Sequence, residues 1–213
     1  MYPLRERLKL YVIPDIDIGA PLSLEEQTRL AICGGASAIQ LRAKNMGGRQ
    51  LLGTAKALAG ICKRNEVLFI VNDRLDVALL AGADGVHLGQ EDLPVAEVRK
   101  AVSSEFLVGA SAHTAEQAVA AERDGADYLG LGAVFGTNSK NDVTVIGLEG
   151  LRKAAAATSL PSVAIGGIAL ENLGDVMGCG VDGVSVISAA VAGDVEKKTR
   201  ALSDFLRLQK DGQ

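Results

Sequence analysis

The chain has no tryptophan, and aromatic residues make up only 3% of its 213 positions. Rings on which nucleic-acid bases stack are therefore scarce. A formal charge of −4 and a pI of about 5.3 leave no excess of the basic side chains that a nucleic-acid partner requires. Cysteine is sparse too: Cys33, Cys62 and Cys179 are odd in number and at no metal-ligand spacing, which reads as buried free thiols in a reducing compartment. No apolar run reaches the ~18 residues of a membrane span, and no charged segment followed by an apolar one stands at the N-terminus. The expectation is a soluble, cytoplasmic protein with neither membrane nor nucleic acid as a partner.

Glycine, by contrast, is abundant, with 25 residues and no Gly-X-Y period, which excludes collagen. Hydrophobic residues at 48% and charged residues at 23% exclude disorder. The length suits one domain spanning residues 1–213, burying about 70% of its unfolded surface.

Short runs rich in Val, Ile and Leu alternate with longer amphipathic stretches. Strands are expected at Leu10–Ile13, Ala38–Arg42, Leu68–Asn72, Gly85–Leu88, Leu107–Ala110, Tyr128–Gly132, Ser162–Ile165 and Gly183–Ile187. Their lack of polar alternation is that of parallel strands covered on both faces. Helices are expected at Leu24–Cys33, Gln50–Lys63, Arg74–Ala81, Pro94–Val102, Ala115–Arg123, Leu148–Thr158, Leu170–Met177 and Val195–Leu208. Ser23 with Glu26, and Thr114 with Gln117, have capping-box spacing.

A repeat sharpens the topology. Gly35-Ala-Ser-Ala-Ile-Gln-Leu-Arg42, Gly82-Ala-Asp-Gly-Val-His-Leu-Gly89, Gly125-Ala-Asp-Tyr-Leu-Gly-Leu-Gly132 and Gly180-Val-Asp-Gly-Val-Ser-Val-Ile187 each end a helix and form every second strand. In a closed eight-stranded barrel, inward layers come from alternate strands. The alternation alone also permits an open doubly wound sheet; the repeat favours an α/β fold of the (β/α)8 TIM-barrel type. Gln40, His87, Gly130 and Ser185 would form one inward layer, and Arg42, Gly89, Gly132 and Ile187 the next.

Function in this fold sits at the C-terminal strand ends. Arg42 and Lys44 read as an anion clamp. Asp73 and Asp92, on neighbouring loops, suit Mg2+, which takes one or two carboxylates and completes its shell with water and phosphate oxygens. Ser111 is a candidate ligand donor, His113 either a proton carrier or a hydrogen-bonded rim residue, and His87 a satisfied core residue. The polar stretch around Thr137, Ser139 and Lys140 reads as a lid. Gly166-Gly167-Ile168 and Ile187-Ser188 occupy the recurrent phosphate-binding loops after strands seven and eight. Two anion sites thus share one mouth: a bare-backbone site for a monoester, and a cation-and-metal site for a diphosphate leaving group. No Ser-His-Asp set and no Gly-x-Gly-x-x-Gly after a strand offers another chemistry.

Taken together, Gln40-Leu-Arg-Ala-Lys44, Asn72-Asp73, His87-Leu-Gly-Gln-Glu-Asp92, Gly109-Ala-Ser111, Thr137 to Lys140, Gly166-Gly-Ile168 and Val186-Ile-Ser188 span nearly the whole chain. In their order and placement they closely resemble the thiamine phosphate synthase family. That resemblance implies a transferase that condenses hydroxymethylpyrimidine diphosphate with hydroxyethylthiazole phosphate, or its carboxylated form. The products would be thiamine monophosphate and pyrophosphate, by a dissociative, Mg2+-dependent reaction. It implies pyrimidine diphosphate binding by Gln40, Leu41, Arg42, Ala43, Lys44, Asn72, Ser111 and Lys140, with Arg42, Lys44, Ser111 and Lys140 catalytic. Thiazole phosphate would be held by Thr137, Asn138, Ser139, Gly167, Ile187 and Ser188, and Mg2+ by Asp73 and Asp92. A homo-oligomer with small-molecule substrates is also implied. One loop departs from the family's Pro-Val-Phe-x-Thr-x-Thr-Lys: it reads Ala133-Val-Phe-Gly136-Thr-Asn-Ser139-Lys140. The alternatives are a thiazole tautomerase-like paralogue and a non-catalytic phosphate-ligand sensor. Arg42, Lys44, Asn72, Asp73, Asp92 and Lys140 together disfavour the first, and the acidic pair disfavours the second.

Overall fold

The eight apolar runs form eight parallel strands that pair in sequence order and close: β1 Leu10–Val12, β2 Ala38–Leu41, β3 Leu68–Asn72, β4 Gly85–Leu88, β5 Leu107–Ala112, β6 Tyr128–Gly132, β7 Ser162–Ile165 and β8 Gly183–Val186. Closure is made by β1 on β8, with Leu10 opposite Val184 and Val12 opposite Val186. In this computed structural model the described residues are 3–136 and 144–208. The fold is a (β/α)8 barrel.

Helices α2 Leu24–Cys33, α3 Gly48–Arg64, α4 Leu75–Ala81, α5 Val95–Ala101, α6 Ala115–Arg123, α7 Gly147–Ala156, α8 Leu173–Met177 and α10 Val195–Leu208 cover the strands. Two four-residue helices, α1 Leu4–Arg7 and α9 Ser188–Val191, were not expected. They are too short to carry an apolar period. The stretch before α8 is a separate 3-10 turn, Leu170–Asn172. The Ser23–Glu26 capping box forms in full. At α6 only half of the expected box forms: Thr114 Oγ1 accepts from Gln117 N, while the Gln117 side chain accepts from His113 N instead.

The repeat has a structural cause at the barrel floor. Its Gly35, Gly82, Gly125 and Gly180 all have positive φ, where a side chain is disfavoured. Two residues on, a short polar side chain accepts from a backbone N–H of the preceding strand's start. Ser37 Oγ takes Leu10 N at 2.9 Å, Asp84 Oδ2 takes Phe69 N at 2.8 Å, Asp127 Oδ2 takes Val108 N at 2.7 Å, and Asp182 Oδ2 takes Ser162 N at 2.8 Å. These latches satisfy donors at the beginnings of β1, β3, β5 and β7. Arg99 and Arg5 brace Asp127 and Asp182 at 2.8 and 2.6 Å.

The core has two shells. Leu8, Tyr11, Ala38, Leu68, Ile70, Tyr128 and Val163 plug the barrel, and a larger cluster fills the space between strands and helices. Leu41 belongs to the outer shell and is 1% exposed. Cys62 and Cys179 are buried as expected, whereas Cys33, at the end of α2, is exposed. Desolvation raises the Cys62 thiol to about 12, so it is inert at neutral pH.

Candidate active site

A cavity of about 150 Å³ opens at the C-terminal end of the barrel. Strand alternation brings Gln40, Arg42, Asn72, Ser111, Gly130, Gly132 and Ser185 to its wall. Gly167, Ile187 and Ser188 line it from the opposite loops. Leu41 and Ala43 fall between the inward positions, and Leu41 turns its side chain into the outer shell. Lys44 is exposed beside the mouth. Thr137, Asn138, Ser139 and Lys140 lie outside the described residues.

Below the mouth, polar residues meet in the barrel axis. Gln40 Nε2 donates to Tyr11 OH at 2.9 Å, and Tyr11 OH lies 3.1 Å from Tyr128 OH. Tyr128 OH lies 3.1 Å from His87 Nδ1, and His87 Nε2 lies 3.0 Å from Ser111 Oγ. Room for this chain comes from missing side chains. A Cβ at Gly109 would stand 2.2 Å from the Tyr128 ring, and one at Gly130 would stand 3.0 Å from His87. Burial lowers the His87 imidazole to about 4, although the Asp92 charge pulls the other way, so the ring is neutral at physiological pH. Burial raises both tyrosines, keeping them protonated. His87 is therefore a satisfied core residue, as its depth implied, but it also reaches the cavity wall. His113 lines the cavity too, with Nδ1 bonded to the Gly132 carbonyl. A carbonyl only accepts, so Nδ1 carries a proton.

Asp73 and Asp92 are brought together at one side of the mouth. Asp73 has a left-handed φ of 60° and is fixed by Asp73 N donating to the His87 carbonyl at 2.8 Å. Burial, then the hydrogen bond and charge of Asp92, hold the Asp73 carboxyl above the ordinary carboxylate range. Lys44, 3.4 Å away, opposes that rise. Asp92 Oδ2 accepts from Gly89 N at 2.6 Å, which folds the loop after β4 back on itself. Two neighbouring carboxylates at the mouth fit a hard divalent cation. Among the described residues no cluster of three or more His, Cys, Asp or Glu exists, so such a cation would draw its remaining ligands from water and substrate.

Across the mouth, Gly166 and Gly167 have φ of 102° and 63°. A Cβ on Gly167 would stand 2.7 Å from the Gly136 carbonyl. Val134 N and Phe135 N pair with the Ile165 and Gly166 carbonyls at 2.9 and 3.0 Å, joining this loop to the one after β6. Asn172 clamps the turn through Ala169 N and the Gly167 carbonyl. Helix α9 starts at Ser188 on this side of the cavity, its Ala190 N and Val191 N donating back to the Ile187 carbonyl at 2.9 Å, and the N–H end of a helix favours an anion.

Sequence reasoning missed Tyr11, Ile13 and Ile165, which also line the cavity. The signal was present: Tyr11 and Ile13 stand to β1 as Gln40 and Arg42 stand to β2, and both strands alternate inward. Phe135, on the loop after β6, packs half-buried on the outer shell and does not line the cavity.

Residues 10–190 match the thiamine monophosphate synthase family. A thiamine-phosphate synthase of Coprothermobacter proteolyticus is 52% identical over 204 residues, covering 95% of this chain and 97% of that protein. One from Pyrococcus furiosus is 48% identical over 200 residues, covering 93% and 95%. A solved thiamine phosphate pyrophosphorylase from Pyrococcus furiosus superposes with a TM-score of 0.88 at 44% identity, over 97% of this chain and 98% of that one. An N-acetylmannosamine-6-phosphate 2-epimerase from Clostridium perfringens, with a TM-score of 0.67 at 16% identity, shares the fold alone.

Proposed function

Since the chain belongs to the thiamine monophosphate synthase family, it is a transferase of thiamine biosynthesis, and we propose how its barrel mouth performs the reaction. Hydroxymethylpyrimidine diphosphate and hydroxyethylthiazole phosphate, or the carboxylated form of the latter, meet in the cavity. The bond between the pyrimidine methylene and the diphosphate oxygen breaks, and its electron pair leaves with pyrophosphate. The thiazole nitrogen then gives its lone pair to that methylene, forming the C–N bond and the thiazolium charge of thiamine monophosphate; from the carboxylated form, the carboxylate also leaves as CO2.

The observation that carries this reading is the pairing of opposites around one cavity. Arg42, Asn72, Ser111 and the Asp73–Asp92 pair with Lys44 stand on one side, and bare Gly166-Gly167 with the start of α9 stands on the other. Arg42 is half-buried and free of any ion pair among the described residues, so its guanidinium is available for a diphosphate. Lys44, Asn72, Ser111 and Lys140 complete that clamp, Gln40 orients the pyrimidine ring, and Leu41 and Ala43 contribute backbone. Asp73 and Asp92 are the residues that would hold Mg2+, whose charge stabilises the departing diphosphate. Gly167, Ile187 and Ser188 hold the thiazole phosphate through backbone N–H groups and a hydroxyl, aided by Thr137, Asn138 and Ser139. The chain's work is to stabilise the leaving group and align two rings. The reaction is assigned to the cytoplasm.

Incubation of the purified protein with both substrates and Mg2+ tests the reading. Thiamine monophosphate should form and should cease with EDTA. Asp92→Ala should abolish turnover while leaving thiazole phosphate binding nearly intact. Product formation indifferent to EDTA, or loss of both functions together in Asp92→Ala, would sink the assignment of two separable anion sites.

A further inference from the structure

The polar groups in the barrel axis form one unbranched series: Gln40, Tyr11, Tyr128, His87 and Ser111, drawn from five strands. An amide NH2 only donates, and a hydroxyl has a single proton to give. Once Gln40 Nε2 donates to Tyr11, the proton order of every later link follows. Tyr11 gives its proton to Tyr128, and Tyr128 gives its own to His87 Nδ1. The neutral imidazole therefore carries its proton on Nε2 and gives it to Ser111 Oγ. Ser111 keeps its own proton for the cavity. If the Gln40 amide turns over, its oxygen accepts from Tyr11 and each proton moves the other way. Ser111 then spends its proton on His87 and meets the cavity only as an acceptor. Both arrangements are fully paired, and any mixture leaves a buried donor or acceptor without a partner, at a cost that disfavours it. The relay is a two-state element.

We propose that the Gln40 amide, acting through Tyr11, Tyr128 and His87, sets the hydrogen-bonding polarity of Ser111, and that the Gln40-donating state turns Ser111 into a donor for an anionic ligand. The proposal rests on the mouth being a diphosphate site. In that state Gln40 Oε1 is left to accept an N–H from a ring-bearing ligand. An aminopyrimidine that pins the amide thereby prepares Ser111 for the anion at the ligand's other end. His87 is a positioning residue in this scheme, since it acts through Ser111.

The tautomer of His87 reads the state directly, and it is measured by long-range 15N–1H NMR on the full, ligand-free chain. The wild type should carry the proton on Nε2. Gln40→Glu, whose ionised carboxylate only accepts, should move it to Nδ1. Tyr128→Phe cuts the relay and should make Gln40→Glu silent at His87. An Nδ1–H tautomer in the wild type overturns the proposal, as does an unchanged tautomer in a folded Gln40→Glu protein. The wild-type spectrum decides alone where the Glu variant does not fold. In turnover, Tyr128→Phe should lower kcat about tenfold with little change in KM for the thiazole phosphate, and Ser111→Ala added to it should cost little more. Additive losses would overturn the coupling. The tautomer is read without substrate, so failure of the synthase reading leaves it untouched and the two failures are distinguishable.

Discussion

Lys44 Nζ stands 3.4 Å from Asp73 Oδ2, and among the described residues it is the cation paired with the carboxylate couple at the mouth. Burial first, and then the hydrogen bond and charge of Asp92 that one lysine only partly offsets, hold the Asp73 pKa raised. Its folded value lies above the unfolded one, so the folded chain keeps a proton that the unfolded chain has lost. Stability is then full below the ordinary carboxylate pKa and falls as pH rises through the folded value. Asp73→Asn removes that loss: the metal-free variant should melt higher than wild type at pH 7 and match it below about pH 4. Millimolar Mg2+ should raise the melting temperature of wild type but not of Asp73→Asn, read by calorimetry. An equal response of both would remove Asp73 from the metal site.

His87 gives an acid limb of opposite sign. Its folded value of about 4 lies below the ordinary 6.5. The unfolded chain therefore binds a proton that the folded chain refuses. Stability is full above about 6.5 and falls as pH drops through this window, by about 3 kcal/mol in all for a fully buried ring. In denaturant titrations His87→Gln should flatten the slope between those limits. An unchanged slope would mean that other groups carry it.

Glycines differ sharply in what they tolerate. A Cβ at Gly132 would stand 2.0 Å from the Ile165 backbone carbonyl, so Gly132→Ala should cost about 3 kcal/mol or more. Gly53 lies exposed in α3 with nothing within 4 Å of its Cβ position. Gly53→Ala should add about 0.5–1 kcal/mol. Thermal melts of the two variants should move in opposite directions.

The floor latches should govern stability and not chemistry. Asp127→Ala frees Val108 N and strips Arg99 of its carboxylate, a loss of about 2 kcal/mol. Turnover at a permissive temperature should stay within about twofold of wild type. A large fall in kcat would show that floor and mouth are coupled.

The barrel was legible because doubly buried parallel strands write unbroken apolar runs, and the fourfold repeat marked alternate strands. The repeat's third residue was visible as a pattern, but its purpose was not: Asp84 and Phe69 are 15 positions apart and meet only through the sheet. Arg42, Asp73 and Asp92 were legible as mouth residues because each ends or follows a strand. Tyr11 was missed as part of the site because β1 lacks the repeat's Gly-led signature. The relay was invisible for a deeper reason, since its links join five strands and no local spacing encodes them. Ala43 and Leu41 show the converse: neighbours of site residues in sequence, they face away from the cavity by alternation.

The plug of Tyr11, Tyr128, Leu68, Ile70 and Val163 is at most 1% exposed, so the reaction chamber is a cul-de-sac. A dead-end chamber imposes an itinerary. Whichever reactant sits deepest must arrive before the other and depart after it, and a surplus of the shallower one bars the door to its own partner. Order of addition in this protein is thus a matter of architecture before it is one of affinity.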